Sequence, residues 1–144
     1  MNTILENLYI TKELHSSIFS PVCSKYNLTL AEILVLLFLA NNREYDSAKD
    51  IVKRLKIKKS HVSLSIRELE ERGYLKGGYE GSNRRTIHLH LCDKSDGIIE
   101  DARDAQKKFL SILERGFSEE EVRHFNNYIR RVNENINDYL GTLI

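Results

Sequence analysis

The order of predicted elements between residues 47 and 91 constrains this chain more than any other feature. A short helix over 47–55, opened by a Ser-x-x-Asp capping sequence, precedes a basic connection and a second amphipathic helix over 58–72. Gly73 is the expected left-handed C-cap of this second helix. Two strand-like runs, 75–79 and 86–91, flank a Gly-Ser-Asn tip, and Ile87, Leu89 and Leu91 are expected on the core face of the second run. Helix, turn, helix and β-hairpin in this order predict a winged helix-turn-helix, whose second helix enters the major groove of DNA.

The charge of the chain is concentrated in the same region. Residues 43–94 contain 13 Lys or Arg against 8 Asp or Glu, a net of +5, and the remainder contains 9 against 13, a net of −4, which together give the overall +1. A basic central segment flanked by acidic segments is the charge distribution of a module that presents one face to phosphates. For the charge pattern alone, a solvated surface run is the alternative interpretation.

Length and composition favour one mainly α-helical domain. With 144 residues, 41% hydrophobic and 30% charged, the chain is long enough for a core and is typical of a helix-rich protein. Cys23 and Cys92 are too few and too far apart for a disulfide framework. The longest uncharged apolar stretch, 33–42, is about half of the roughly 20 residues that a membrane span needs. We therefore predict a cytoplasmic protein with reduced thiols and no membrane partner.

Apolar spacing predicts two helices before the central segment. The first carries a stripe of residues spaced four and three apart, and Pro21 is expected to end or bend it. A Thr-x-x-Glu capping sequence at Thr29 opens the second, which is apolar on every side over 33–40 and is expected to form the centre of the core. The first stripe comprises Ile4, Leu8, Thr11, His15, Ile18 and Val22.

Two further amphipathic helices are predicted towards the C-terminus. Their apolar stripes are too extensive to lie exposed on a monomer, so we expect them to pack against a second copy of the chain. This predicts a single domain, 1–144, with dimerisation helices at 1–28 and 96–144 and a DNA-binding lobe at 29–95. The stripe of the last helix comprises Val122, Phe125, Ile129, Val132, Ile136 and Leu140.

The helix predicted over 58–72 offers the candidate DNA contacts. Val62, Ile66 and Leu69 lie at i, i+4 and i+7 and should face the core. The opposite side carries basic residues at its N-terminal end, suited to phosphates, and an arginine that could bind guanine or phosphate. An ordinary solvated helix face is the alternative. The predicted contacts are Lys58, Lys59, Ser60, His61, Ser63, Leu64 and Arg67, with Ser65 as a further short hydroxyl.

The order of elements, together with LEERGYL at 69–75 and NRRTIHLHL at 83–91, resembles the multiple antibiotic resistance regulator (MarR) family. The resemblance covers nearly the whole chain. It implies a homodimeric transcription regulator, usually a repressor, that binds a palindromic double-stranded operator and is often released by a small molecule or an oxidant.

The wing of this chain departs from the family pattern at one position. The family's wing usually carries Asp-x-Arg, in which the Asp steadies an Arg that enters the minor groove. Here Asn83 stands at the Asp position and Arg85 at the Arg position, with Arg84 between them. The resemblance therefore implies DNA contacts from all three residues, with the two arginines sharing the minor-groove role.

Two regulatory sites are further hypotheses. A small-molecule effector pocket is expected where the dimer helices meet the DNA-binding lobe, with His15, Phe19 and Tyr26 as lining candidates. Cys23 lies close to the position at which peroxide-sensing members of the family keep a reactive cysteine. A buried structural thiol is the alternative for Cys23, and a structural role is also expected for Cys92.

No metal site, cofactor or catalytic residue is predicted. His88 and His90 share a strand face and could hold a metal, but a solvated strand face explains them equally well. No phosphate-binding loop, nucleophile elbow or paired-histidine helix motif is present, so the chain is not expected to be an enzyme. The alternatives to a DNA-binding repressor are a winged-helix protein-interaction module that has lost DNA binding and a redox- or metal-responsive regulator.

Overall fold

Six α-helices and a two-stranded antiparallel sheet occur in residues 3–143, the part of the chain that this computed structural model describes. The elements are α1 (Thr3–Tyr26), α2 (Leu30–Asn41), α3 (Ala48–Leu55), α4 (Lys59–Glu71), β1 (Leu75–Glu80), β2 (Asn83–Leu91), a 3₁₀ turn (Asp93–Ser95), α5 (Asp96–Leu113) and α6 (Glu119–Gly141). The predicted order of helix, turn, helix and hairpin is confirmed. Residues 1, 2 and 144, at the ends of the predicted dimerisation segments, lie outside the described residues.

The backbone divides into two compact units, Met1–Phe109 and Leu110–Ile144. The first unit contains α1 to α4, the hairpin and most of α5. The second contains the end of α5 and the whole of α6. That the chain is one functional domain, made of a DNA-binding lobe and dimerisation helices, stays a prediction.

Helix α2 forms the centre of the core, as predicted. Its first turn is closed by a capping box, in which the Thr29 hydroxyl accepts from the Glu32 amide (3.1 Å) and the Glu32 carboxylate accepts from the Thr29 amide (2.8 Å). Ile33 and Leu36 are completely buried, and α2 packs against α1, α4 and β2. Among the described residues no single helix is long and apolar enough to cross a membrane; α1 and α2 meet that test only together, across a bend of 93°.

Helix α1 continues through Pro21 to Tyr26, so of the two predicted effects of Pro21, an end or a bend of the helix, the first is wrong. Proline lacks an amide hydrogen, so one i to i−4 hydrogen bond is missing at this point. Phe19 and Val22 on either side of it are buried in the core, and this packing holds the helical conformation. The helix ends instead at Asn27, whose φ of 52° is left-handed, and the Leu28 amide then bonds back to the Cys23 carbonyl (3.0 Å).

The hairpin formed by β1 and β2, here called the wing, is longer than predicted. Leu75 pairs with Leu91 at its base and Glu80 pairs with Asn83 at its tip, so Asn83 belongs to a strand and not to the turn. Leu89 is buried as expected, but Ile87 was expected on the core face and is 50% exposed. The distal half of the wing extends beyond the core, so strand alternation there no longer separates buried from exposed residues.

Two of the predicted dimerisation stripes, those of α1 and α6, are exposed in the single chain. The stripe of α5 is not, because Ile98 and Ala102 are buried in the chain's own core, so the expectation that it packs against a second copy is wrong for these residues. In α1, Ile4 is 69% and Leu8 is 60% exposed. In α6, Phe125 is 51%, Ile129 is 42% and Ile136 is 50% exposed. These are the apolar faces that the sequence predicted to pack against a second copy of the chain.

Candidate nucleic-acid interface

Helix α4 has one buried and one exposed face, which positions the candidate recognition residues. Val62, Ile66 and Leu69 are buried, as predicted, and α4 packs through this side against α2 and α3. Leu64 lies on the other side of α4, and 58% of it is exposed, which is a large fraction for a leucine. The seven predicted contacts are all exposed: Lys58, Lys59, Ser60, His61, Ser63, Leu64 and Arg67.

Ser65 does not belong to this surface. Its side chain is only 4% exposed and lies on the core side of α4, so the prediction that its hydroxyl reaches DNA is wrong. The reason is helical geometry, because Ser65 follows Val62 by three residues and precedes Leu69 by four. The same spacing was available in the sequence and should have excluded it.

The N-terminus of α4 is open to an anion. Lys56, the C-cap of α3, has a left-handed φ of 56°, and this tight connection brings the chain directly into α4. The N-cap, Lys58, makes no side-chain capping bond, and the first turn contains no acidic residue. The N-termini of α2, α3 and α6, by contrast, each carry a capping box with an acidic residue. The unpaired amides and partial positive charge of α4 are therefore available to a phosphate, beside Lys58 and Lys59.

The tip of the wing is ordered by contacts that differ from the family pattern. The Asn83 side-chain oxygen accepts a hydrogen bond from the Arg85 backbone amide (2.9 Å), so Asn83 orders the backbone rather than a guanidinium group. The Arg84 guanidinium lies 5.1 Å from the centre of the Tyr79 ring, within the range of a cation–π contact. Tyr79 was missed at the sequence level, although its place at the end of β1 opposite the arginines was a usable signal.

The base of the wing is fixed to the loop that precedes α3. The Leu89 amide donates to the Asp46 carbonyl (2.8 Å), and His88 Nδ1 lies 2.7 Å from Asp46 Oδ1. The hydrogen bond with the Asp46 carboxylate raises the pKa of His88 above its ordinary value. His90, two residues further along β2, is exposed and lies outside this contact.

The C-terminal end of α4 is tied to α1. Gly73 has the left-handed φ of 79° that was predicted for a C-cap glycine. The Arg72 guanidinium donates to the Asn27 carbonyl (2.7 Å) and the Tyr26 carbonyl (2.8 Å). The Tyr26 hydroxyl in turn donates to Asp101 Oδ2 in α5 (2.6 Å).

The three predicted effector-pocket residues do not form one cluster. His15 stacks on Phe19, with 4.6 Å between ring centroids, and meets the Phe109 ring edge-on at 5.2 Å. Burial lowers the pKa of His15. A cavity of about 520 Å³ opens beside His15, between Leu8, Leu30 and Phe109. Tyr26 lies about three helical turns beyond His15 along α1, where its hydroxyl donates a hydrogen bond to Asp101.

A larger cavity of about 770 Å³ is lined by α2, β2 and α5 and includes none of the predicted pocket residues. Its wall is strongly charged, with Arg43, Asp96, Glu100 and Arg103 among the lining residues. The apolar cavity beside His15 is therefore the better match to the predicted effector site, since small-molecule pockets are mostly apolar.

Cys23 lacks the environment of a reactive thiol. It is half-buried and free, and burial raises its pKa, with the nearby Glu32 carboxylate acting in the same direction. A reactive cysteine needs a lowered pKa, because the thiolate is the nucleophile. The geometry favours the structural alternative for Cys23, and Cys92 is likewise free and half-buried.

Comparisons with known proteins agree with this architecture. Residues 26–85 match the family model described as the MarR family. The chain is 29% identical over 113 residues to the HTH-type transcriptional regulator MgrA of Staphylococcus aureus, covering 78% of this chain and 75% of the relative. It is 25% identical over 109 residues to the HTH-type transcriptional regulator BilQ of Clostridioides difficile, covering 73% of each.

Solved structures share the fold across nearly the whole chain. A putative MarR family transcriptional regulator from Listeria monocytogenes, complexed with 26mer DNA, superimposes with a TM-score of 0.84 at 22% identity, covering 96% of this chain and 91% of that one. The transcriptional regulator SlyA superimposes with a TM-score of 0.82 at 18% identity, covering 99% and 100%.

The fold and the exposed face of α4 define a winged helix-turn-helix protein. The chain is similar to the MarR family of transcription regulators, through the family model over residues 26–85 and through the relative MgrA, as its resemblance implied.

Proposed function

We propose that this protein is a homodimeric repressor that binds a palindromic operator in double-stranded DNA. The observation that carries the proposal is the combination of the uncapped, basic N-terminus of α4 and the two-arginine tip of the wing within one lobe. The Listeria relative was crystallised with a 26mer DNA, which supports the same use of the fold here. A repressor must reach its operator, so the proposed location of this protein is the cytoplasm, where the operator is.

The candidate contacts divide into residues that position the protein on the DNA backbone and residues that read the base sequence. Lys58 and Lys59 bind phosphates together with the free amides of the first turn of α4. Further along the exposed face, Arg67 reaches a guanine edge or a phosphate, and the exposed Leu64 packs against a thymine methyl group. Ser60, His61 and Ser63 donate to phosphate or to base edges.

The wing supplies the minor-groove contact. Arg84 and Arg85 carry guanidinium groups suited to the negative potential of a narrow minor groove. Asn83 contributes by ordering the backbone of the tip through its bond from the Arg85 amide. The protein therefore reads the major groove with α4 and the adjacent minor groove with the wing.

Homodimerisation follows from the exposed apolar faces of α1 and α6. A palindromic operator requires two copies related by a two-fold axis, with recognition helices about one helical turn of DNA apart. Segments 1–28 and 96–144 form the dimer, and 29–95 forms the DNA-binding lobe of each copy. The exposed stripes provide the surface that such an interface buries.

A small molecule bound beside His15 would release the operator. An apolar cavity of about 520 Å³ suits a compact aromatic or aliphatic ligand that packs against Leu8 and Phe109. A ligand that prefers a spacing of the two lobes different from the operator-bound one shifts the population away from DNA. Phe19 supports the His15 ring from the core side.

The decisive experiment is selection of bound duplexes from a random pool, followed by titration of the selected duplex at two salt concentrations. We expect a palindromic consensus and an affinity that falls steeply with salt, because phosphate contacts release counterions. Lys58→Gln together with Lys59→Gln should reduce the salt dependence. Lys107→Gln together with Arg115→Gln, two exposed residues outside the DNA-binding lobe, is the control of equal charge change. Failure to enrich any sequence, with salt-independent behaviour, would favour the protein-interaction alternative.

A further inference from the structure

We infer that one face of the wing, together with the loop that precedes α3, forms a binding site for a divalent transition-metal ion of the zinc class, with Asp46, Glu80 and His88 as its residues. One potential ligand atom from each of these residues lies within 4.8 Å of the other two. Imidazole and carboxylate together are a donor set that suits Zn²⁺ and its neighbours in the first transition row. The sequence predicted no metal site, because Asp46 and His88 are 42 residues apart and become neighbours only in the fold.

The two nitrogens of the His88 ring face the two carboxylates. On one side, Nδ1 lies 2.7 Å from Asp46 Oδ1, which is a hydrogen-bond distance. On the other side, Nε2 lies 3.9 Å from Glu80 Oε2, which is too long for a hydrogen bond. A zinc ion placed between Nε2 and that oxygen, at about 2.0–2.2 Å from each, accounts for a separation of this size.

In this geometry a carboxylate, a histidine ring and a metal ion would follow one another, as in the carboxylate–histidine–zinc arrangement of known zinc sites. A proton on Nδ1 donated to Asp46 leaves the lone pair of Nε2 directed towards Glu80, so Asp46 orients the ring while Nε2 and the Glu80 carboxylate bind the ion. Asp46 is itself held in place, because its carbonyl accepts the hydrogen bond from the Leu89 amide (2.8 Å). Water molecules complete the coordination on the solvent side.

Charge and space at the site also favour a cation. Asp46 and Glu80 bring two negative charges to one imidazole, and within the described part of the chain neither carboxylate forms an ion pair with a Lys or Arg. Gly78 lies directly opposite His88 in the hairpin, and no heavy atom would lie within 4 Å of a Cβ built on it. The ring therefore has open space beside it for an ion and its water.

An ion at this site would link three parts of the DNA-binding lobe. Glu80 ends β1, His88 lies in β2, and Asp46 immediately precedes Ser47, the N-cap of α3. Binding would hold the wing in a fixed orientation relative to the helix-turn-helix. A ligand that binds the folded state alone also raises the free energy of unfolding, by an amount that grows with the logarithm of its concentration above Kd.

The test uses the full-length protein without DNA, so its outcome does not depend on the proposed operator binding. Zn²⁺ is titrated by calorimetry and Co²⁺ by visible absorption, with wild type, Glu80→Gln, His88→Gln and His90→Gln. We expect one saturable site per chain, weakened at least about 10-fold in Glu80→Gln and His88→Gln and unchanged in His90→Gln. His90 is the matched control because it is an exposed histidine two residues along the same strand.

Two results would overturn the proposal. One is the absence of saturable binding by wild type, and the other is binding that persists undiminished in Glu80→Gln, which would mean adventitious ligation elsewhere. Circular dichroism of each variant guards against misfolding. Glu80 is exposed, so its variant decides the question even if His88→Gln proves unstable.

Discussion

Arg72, the C-cap of α4, donates a hydrogen bond to the backbone carbonyl of Tyr26 in the last turn of α1 (2.8 Å). A second bond from the same guanidinium reaches the Asn27 carbonyl, and the Tyr26 hydroxyl continues the connection to Asp101 in α5. The end of the predicted recognition helix is thereby joined to two helices that were predicted to form the dimer. These bonds connect the C-terminal end of α4 with α1 and α5.

Arg72→Met should destabilise the protein by about 1–2 kcal/mol, because two carbonyls lose a charged donor while the apolar volume of the side chain is largely retained. Urea denaturation measures this as a lower midpoint at an unchanged slope. Arg67→Met, an exposed arginine of the same helix, is the control and should leave the midpoint unchanged. Equal midpoints for Arg72→Met and wild type would mean that the hydrogen bonds from Arg72 to the two carbonyls do not contribute to stability.

Asp101 makes stability depend on pH in the acid range. Its bonds from Lys25 and then from Tyr26 lower its pKa below the ordinary 3.8. Because the folded-state pKa is depressed, the unfolded chain binds the proton more readily. The stability that Asp101 contributes is therefore fully present above about pH 4 and is lost as pH falls through the folded-state pKa.

Asp101→Asn should accordingly flatten the pH dependence of the free energy of unfolding below about pH 4. Thermal melts at a series of pH values measure the effect. Asp104→Asn, an exposed residue one turn further along α5, is the control for the change of charge. If the wild type and Asp101→Asn curves stay parallel throughout this range, the Lys25–Asp101–Tyr26 cluster is not coupled to folding.

Much of this architecture could be predicted because it depends on short-range periodicity. The helical spacing of Val62, Ile66 and Leu69 predicted the buried face of α4, and Gly73 marked its end. Tertiary packing, which the local pattern does not contain, kept α1 helical through Pro21. At the distal part of the wing, alternation failed for Ile87 because no core lies beneath it.

The contacts that join elements could not be predicted in this way. Tyr26 and Asp101 are 75 residues apart, and His88 and Asp46 are 42 apart. Each pair is brought together only after the intervening helices have packed, so no fixed spacing in the sequence identifies it. Ser65 is a different case, since helical geometry alone would have placed it among the buried residues.

The dimer should depend on the exposed face of α6. Ile129→Asp and Ile136→Asp together would place two charges in an interface that we expect to bury more than roughly 2,000 Å² in total. Burying unpaired carboxylates is unfavourable, so light scattering should detect a monomer or a much weakened dimer. Asn127→Asp adds a charge on the opposite face of the same helix and should remain dimeric. A double variant that is still fully dimeric would exclude α6 from the interface.

Arg67→Ala should weaken binding of the selected operator by about 1–3 kcal/mol if Arg67 contacts a base, with relaxed sequence preference at one position of each half-site. If it contacts phosphate, affinity should fall evenly across sequences and the salt slope should decrease by about 1. Fluorescence anisotropy with operator and single-base variants distinguishes the two results. Ser65→Ala, a buried residue of the same helix, should leave both quantities unchanged when the fold is intact.

Arg84→Ala together with Arg85→Ala should weaken operator binding strongly and leave the dimer intact, because the wing tip lies outside the core and its arginines are exposed. Tyr79→Leu should lose only about 0.5–1 kcal/mol, the value of an exposed cation–π contact, since it removes the ring that orients Arg84 but neither guanidinium. Asn83→Asp should change affinity little, because a carboxylate can accept the same bond from the Arg85 amide while adding a negative charge near phosphate. Tight operator binding by the double alanine variant at about 150 mM salt, where non-specific phosphate binding is weak, would remove the wing from the interface.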